Sequence, residues 1–507
     1  MDRPAKEPVS SSGAIFALAL LNLFSFGIDS GGMGFYLDDW SLAEPAWRAA
    51  DQGLWGMMKE FHRAGAQVGT SWLLRPLDIL YHPGMYWLAG LSFWKYQAAY
   101  RAMETASAAM IFLGFLSATG RAGPSFLTAC LFMVFPNHGA THHWFTAVAT
   151  PAMAFASAGL WTYARWLESG RVWALAAGLA LLAAGSLTYE AVLPVAVLMP
   201  FLSYWRGLRR GLGRGEALRK AAADAVWPAL AVAALAAYHV GIQRWGPPTI
   251  SRRLGFDLGF MLKSLVRGVE CNSTGVLHLC FVFTRQALAQ LEWWRWPAAA
   301  LGAAALVLWL RSRFAEELRW KDPVAASWAA AGGVLLVGAH APYAFSADRY
   351  VPHVFDAQNR LNVPPSLAAV MLLGLGLTML PGRVRSGVLA AVLAVFTIAN
   401  WENARQWKEA YRLERQVLAA LQKHVDRLPP GQAVIALEGA PELAGTAPVF
   451  NEVFTFDSAL RLSTGRKDLF GTLLRGGNAP RPRQGIEAWY RYSFPEDRFS
   501  VWEPGKP

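Results

Sequence analysis

The sequence predicts an all-α polytopic membrane protein of about eleven transmembrane helices. Interfacial helices are expected in its first outer loop, and a small α/β C-terminal extracytoplasmic domain follows. Three observations predict this. Of 507 residues, 54% are hydrophobic and only 16% are charged, whereas soluble domains carry about 25% charged residues. Apolar stretches of membrane-spanning length recur through residues 1–400. Beyond residue 400 the chain turns polar and Pro-rich.

The apolar stretches are 13–29, 97–118, 122–136, 144–166, 171–187, 190–205, 225–243, 295–311, 323–345, 363–380 and 385–400. The first is read as a retained helix rather than a signal peptide. Arg3 and Lys6 are balanced by Asp2 and Glu7, and no Ala-x-Ala site follows. Lys and Arg in the short loops set the orientation. With the N-terminus cytoplasmic, the inner loops hold Arg121, Arg165, Arg171, Arg383, Arg385 and the cluster Arg206, Arg209, Arg210, Arg214, Arg219 and Lys220. The +12 net charge thus marks sidedness, and low charge density argues against a nucleic-acid partner. The lipid bilayer is the partner that composition implies. An Ala-, Gly- and Arg-rich composition suits a bacterial inner membrane, with the C-terminal part periplasmic.

Residues 1–400 therefore form the membrane domain and 401–507 the outer one. The latter opens on a helical stretch, Trp401–Leu428, and a strand is expected at Ala433–Leu437, after a Pro-Pro-Gly turn. Residues 44–96 have interfacial character, with Trp47, Trp55, Trp72, Trp87 and Trp94 as headgroup anchors. The apolar stretch 275–284 is too short to span and reads as re-entrant or interfacial. Cys271 and Cys280, both outside, are candidates for a disulfide, and Cys130 for a core position.

The polar residues gather at one side. Gly34-Phe35-Tyr36-Leu37-Asp38-Asp39-Trp40 follows the first helix. One Asp suffices to cap a helix, so two adjacent carboxylates point to a base beside an acceptor-orienting or metal-binding group. Arg75, in Leu74-Arg75-Pro76-Leu77-Asp78, either pairs with Asp78 or faces a phosphate. The second outer loop holds His138, His142 and His143. Gly139 weakens a helical two-histidine metal site there, and hydrogen bonding to sugar or phosphate is the other reading. Glu190, in Thr188-Tyr189-Glu190, is a site candidate at a membrane edge, or a neutralising partner for a nearby Arg. Arg349, Tyr350 and Arg360 lie in the last outer loop. Two Arg at a membrane mouth suit a lipid-linked phosphate, or else phospholipid headgroups. Walker A, GxGxxG in a βαβ setting, HExxH and CxxC are all missing.

Taken in order, the acidic pair, the Arg-Pro-Leu element, the Pro-x-His loop and the Tyr-Glu turn resemble the GT-C superfamily of integral-membrane glycosyltransferases. Protein O-mannosyltransferases and TMTC-type enzymes are the nearest likeness, over roughly residues 13–400. Two departures stand out: residues 136–138 are Pro-Asn-His, where those enzymes have His-Pro-x-His, and Tyr189 replaces a Lys. The resemblance implies inverting transfer of a sugar from a polyprenyl-phosphate donor to a protein, lipid or glycan acceptor hydroxyl. It implies Asp38 as base, with Asp39 second choice. Arg349, Arg360 and Arg75 would hold the donor phosphate, and His138, His142, His143, Glu190 and Tyr350 would line the sugar and acceptor pocket. A divalent cation is the one cofactor it leaves room for, with Asp39 and His142 as candidate ligands. An O-antigen-type polymerase or ligase, or a lipid-linked-sugar transporter, are the alternative classes.

Overall fold

Each of the eleven apolar stretches forms a helix, and further helices lie between them among the described residues. The computed structural model describes residues 11–28, 31–67, 73, 75–245, 257–313, 323–345, 351–355, 357–450, 452–475 and 486–502. Helix α1 (Ser11–Asn22) ends in a widened π-helical turn, Leu23–Gly27. Three helices fill the first loop: α2 (Asp38–Arg48), α3 (Gly53–Gln67) and α4 (Asp78–Ala89). Then come α5 (Phe93–Thr119), α6 (Ala122–Val134), α7 (Ala149–Ser169) and α8 (Val172–Thr188). A 3-10 stretch, Glu190–Val197, leads into α9 (Leu198–Arg209), α10 (Arg214–Asp224) and α11 (Val226–Trp245). After these follow α12 (Leu258–Cys271), α13 (Thr274–Gln290), α14 (Arg295–Arg313), α15 (Pro323–Gly338) and the short α16 (Ala341–Ala344). Helices α17 (Val363–Met379) and α18 (Gly382–Val425) complete the bundle. Among the described residues, six helical segments are long and apolar enough to cross a membrane, and α1 with its π turn, α6 and α8 are shorter apolar helices.

Polar contacts gather at two ends of the long helices. At one, Arg209 and Arg210 donate to the carbonyls of Ser117 and Leu167, gathering the ends of α5, α7 and α9. Trp205 Nε1 donates to Ser327 near the start of α15. This is the arginine-rich face. At the other, Trp401 Nε1 donates to the Phe24 carbonyl and Asn400 Nδ2 to that of Val134. Between the faces, packing rather than water exclusion must hold the helices, because lipid is as apolar as their side chains. Helices α7 and α8 approach through glycines: a Cβ on Gly159 would lie 2.9 Å from the Gly178 carbonyl oxygen. Trp205 and Trp328, both fully buried, stack with ring centroids 5.0 Å apart.

The stretch expected to be re-entrant or interfacial is helix α13. His278 and Phe283 both pack on Phe355, while Gln286 accepts from Gln406 and Ala287 packs with Trp401. Its whole length therefore follows the face opposite the arginines. Two expectations fail here. Cys271 and Cys280 are free thiols, because they sit on separate helices and Cys271 donates instead to the Pro352 carbonyl at 3.4 Å. Trp47 is half-buried with Lys467 over its ring, so it serves the contact with the C-terminal domain rather than headgroups. Trp55, Trp87 and Trp94 are exposed as anchors would be; Trp72 lies outside the described residues.

Helix α18 runs through position 400 without a break, and its second half becomes part of the C-terminal layer. There β1 (Ala433–Glu438) forms, with a small hairpin of β2 (Leu443–Ala444) and β3 (Ala447–Pro448). Helix α19 (Val453–Thr464) is followed by β4 (Leu469–Leu474), β5 (Ala488–Ser493) and β6 (Arg498–Val501). The sheet order is β4-β1-β5-β6, parallel except for β6. Its core face (Ile435, Leu437, Leu469, Tyr492) packs in one cluster with Leu418, Leu421 and Val425 of α18 and with Phe456 and Leu460 of α19.

Candidate functional site

The acidic pair sits on the first turn of α2, after a turn under strain. Leu37 has φ +48° and ψ −127°, a region that side chains with a Cβ avoid. The carboxylate of Asp39 closes this turn. One oxygen accepts from the Tyr36 N–H at 3.0 Å, the other from the Thr146 N–H at 2.8 Å. Neither Asp occupies the N-cap position, which is Leu37. Close packing adds to the constraint, since a Cβ on Gly34 would collide with the Tyr411 ring at 1.9 Å. Asp38 is half-buried and Asp39 is buried. Burial pushes Asp39 up to about 8 despite its backbone donors, with Asp38 adding to the rise. Asp39 also lines a narrow cleft with Phe35, Tyr81, His82, Tyr96 and Phe145. In that cleft burial holds His82 down at about 3, a neutral imidazole.

The Thr146 contact ties the acidic pair to the histidine loop. That loop is a 3-10 stretch, Pro136–His142, and all three histidines are buried. Burial pushes each of them below its ordinary value, so they stay neutral. His138 Nδ1 shares a 3.1 Å hydrogen bond with Ser366. His142 stacks on Phe26 at 3.9 Å, and its Nδ1 lies 2.7 Å from Glu104. Glu104 also accepts from Arg101 Nη1 at 2.6 Å and Asn22 Nδ2 at 3.2 Å, and Arg101 Nη2 donates to the His142 carbonyl at 2.6 Å. A cavity beneath the loop is lined by Glu104, His138, Thr141, His142, Thr150 and Met153, among others.

The last loop joins from the other side. Asn359 Oδ1 accepts from the Ala140 N–H at 3.0 Å, and Asn362 Nδ2 donates to the Asn137 carbonyl. Arg360 lies over the Trp144 ring, 4.4 Å from its centroid. Arg349 and Tyr350 lie outside the described residues. Arg75 and Glu190, read separately from sequence, form one bidentate ion pair with both bonds at 2.8 Å, and Arg75 also covers the Tyr189 ring. Of the two readings of Glu190, the neutralising one matches this geometry; the partner of Arg75 in that pair is Glu190, not Asp78.

Asp39 and His142 do not share a cation site. Asp39 spends an oxygen on each of two backbone donors, and His142 is turned to Glu104. Among the described residues, no three His, Cys, Asp or Glu side chains gather in a way that could hold a metal. Sequence reasoning missed Glu104, His82, Tyr81 and Tyr100. Only Glu104 left a signal: Arg101-x-x-Glu104 is an i,i+3 charge pair inside an apolar stretch, and such residues are functional by default. Tyr81 and Tyr100 share a 2.9 Å hydrogen bond, and Tyr100 donates to the Phe145 carbonyl; nothing local in the sequence marks them.

No family model and no curated protein matches the chain. Among solved structures it is similar to that of ArnT from Cupriavidus metallidurans bound to undecaprenyl phosphate. Identity is 13%, 91% of this chain and 86% of that chain are covered, and the TM-score is 0.47.

Proposed function

We propose that the protein is an inverting GT-C-type glycosyltransferase that moves a sugar from a polyprenyl-phosphate donor to an acceptor hydroxyl at the extracytoplasmic face. One observation carries this reading: the Asp39–Thr146 hydrogen bond joins the acidic pair to the histidine loop at one end of the bundle. Two elements more than a hundred residues apart thus meet where a membrane-embedded donor and a water-borne acceptor would meet.

Asp38 acts as the base. It stands on the first turn of α2, where the helix dipole favours a carboxylate. Asp39 is a positioning residue: its two backbone bonds hold the strained turn, and its raised pKa suits it poorly to accept a proton at neutral pH. In the reaction the acceptor O–H proton passes to Asp38, the acceptor oxygen bonds to the anomeric carbon, and the bond from that carbon to the phosphate oxygen breaks. Polyprenyl phosphate leaves as an anion, so no general acid is needed. Arg360 and the masking or release of Arg75 by Glu190 set the positive charge offered to that phosphate.

The test is incubation of purified protein with a panel of polyprenyl-phosphate sugars, reading released polyprenyl phosphate. Asp38→Asn is expected to lower turnover about 10²–10⁴-fold while the protein stays folded and inserted. Near-normal turnover in that variant would remove Asp38 from the role of base.

A further inference from the structure

The cluster beneath the histidine loop fixes a protonation state. Glu104 accepts from the Arg101 guanidinium and the Asn22 amide and lies 2.7 Å from the His142 ring nitrogen. A carboxyl paired with a guanidinium is ionised, and an ionised carboxylate can only accept. Its charge is balanced by Arg101, and a second cation on His142 would leave this buried site with a net positive charge. His142 is therefore neutral, with its proton on Nδ1, where Glu104 accepts it. That leaves Nε2 with a bare lone pair. Nε2 is buried and has no hydrogen-bond partner, while His142 and Glu104 both line the cavity.

We infer that Glu104 is a positioning residue that selects this tautomer of His142, so that Nε2 accepts a hydrogen bond from a hydroxyl of the transferred sugar. This rests on the glycosyltransferase reading above. Leaving a buried acceptor without its donor costs free energy, so the site discriminates in favour of a donor sugar bearing a hydroxyl at that place. Arg101 serves the same end from the backbone side, through its bond to the His142 carbonyl. Phe26, stacked on the imidazole, fixes the ring plane.

The experiment uses the full chain in lipid nanodiscs with nitrogen-15-labelled histidine, and His142→Gln assigns the His142 signals. A protonated Nδ1 and an unprotonated Nε2 are expected in the wild-type protein. A protonated Nε2 would overturn the proposal without any variant of Glu104. Glu104→Gln keeps the size of the side chain, and its amide offers a donor as well as an acceptor, so the tautomer preference should weaken. With a polyprenyl-phosphate sugar that the wild type turns over, kcat/KM should fall about 10–100-fold, as on removing the partner that orients an imidazole. Unchanged kcat/KM in Glu104→Gln would also overturn it. Failure of the wild type on every donor sugar instead sinks the glycosyltransferase reading, while the tautomer measurement still stands.

Discussion

The carboxyls of Glu44, Glu104, Asp39 and Glu414 divide into two kinds, and the division follows their partners rather than their depth. Glu44 on α2 meets Arg461 of α19 at 2.5 and 2.8 Å, along with Ser458 at 2.6 Å. Burial alone would raise Glu44, but the guanidinium outweighs it and holds the carboxyl below its usual range. Glu104 likewise has Arg101. Asp39 and Glu414 are satisfied by N–H donors alone. Glu414 accepts from Trp40 Nε1 at 3.1 Å and the Phe450 N–H at 3.3 Å, and burial pushes it up to about 8. In Asp39 and Glu414 the N–H donors do not offset burial, whereas in Glu44 the Arg461 guanidinium does.

The largest effect that tests this contrast is at the contact between α2 and α19. Arg461→Ala should destabilise that contact by about 1–3 kcal/mol, because Glu44 keeps Arg48 as a cation but loses its bonds across to α19, and Asp457 loses its guanidinium partner as well. The double change Glu44→Met with Arg461→Met should recover part of the loss, since Asp457 and Arg48 still lose their partners. Thermal unfolding followed by proteolytic sensitivity of the C-terminal domain measures both. A double variant as unstable as the single one would show that the pair is needed for more than its mutual charge balance.

A pH series probes the other kind. Asp39 and Glu414 bind their protons more tightly in the folded state than at their ordinary values of 3.8 and 4.5. Their contribution is therefore fully present below about pH 4 and is lost as pH rises towards about 8. Glu414→Gln removes one such loss. It gives up one of two hydrogen bonds, about 1 kcal/mol, so it should melt lower than wild type at pH 5 and draw level with or pass it by pH 8. A constant difference across that range would mean that Glu414 is ionised throughout. Asp39→Asn should behave in the same direction, and since an amide cannot accept from both Tyr36 and Thr146, it should also cut transfer several-fold while sparing donor binding. The smallest change is Arg360→Lys. A lysine keeps the charge but loses the planar stack on Trp144, worth about 0.5–1 kcal/mol, so donor affinity should drop less than tenfold in a titration.

The apolar helices were legible because they depend on local composition. Apolar stretches mark the spans, and the basic loops gather at one face, as Arg209 and Arg210 do on the carbonyls of α5 and α7. The strand at Ala433 was legible from its Pro-Pro-Gly approach and its apolar run. The acidic pair was legible as a feature, but the division of labour within it was not, since Asp39 is defined by Thr146 in another loop. The unbroken helix through position 400 was hidden because its second half is polar and its first half apolar. Composition changed there while the backbone did not.

The sequence by itself determined where the apolar helices lie, which loops are basic, and which residue types fill the others. Those properties follow from windows of some twenty residues. Tertiary structure alone decided who meets whom. It paired Arg75 with Glu190, seated Glu44 on Arg461, and placed Glu104 against His142. Contacts between segments this far apart in the chain depend on how the helices pack, and no local window contains that information.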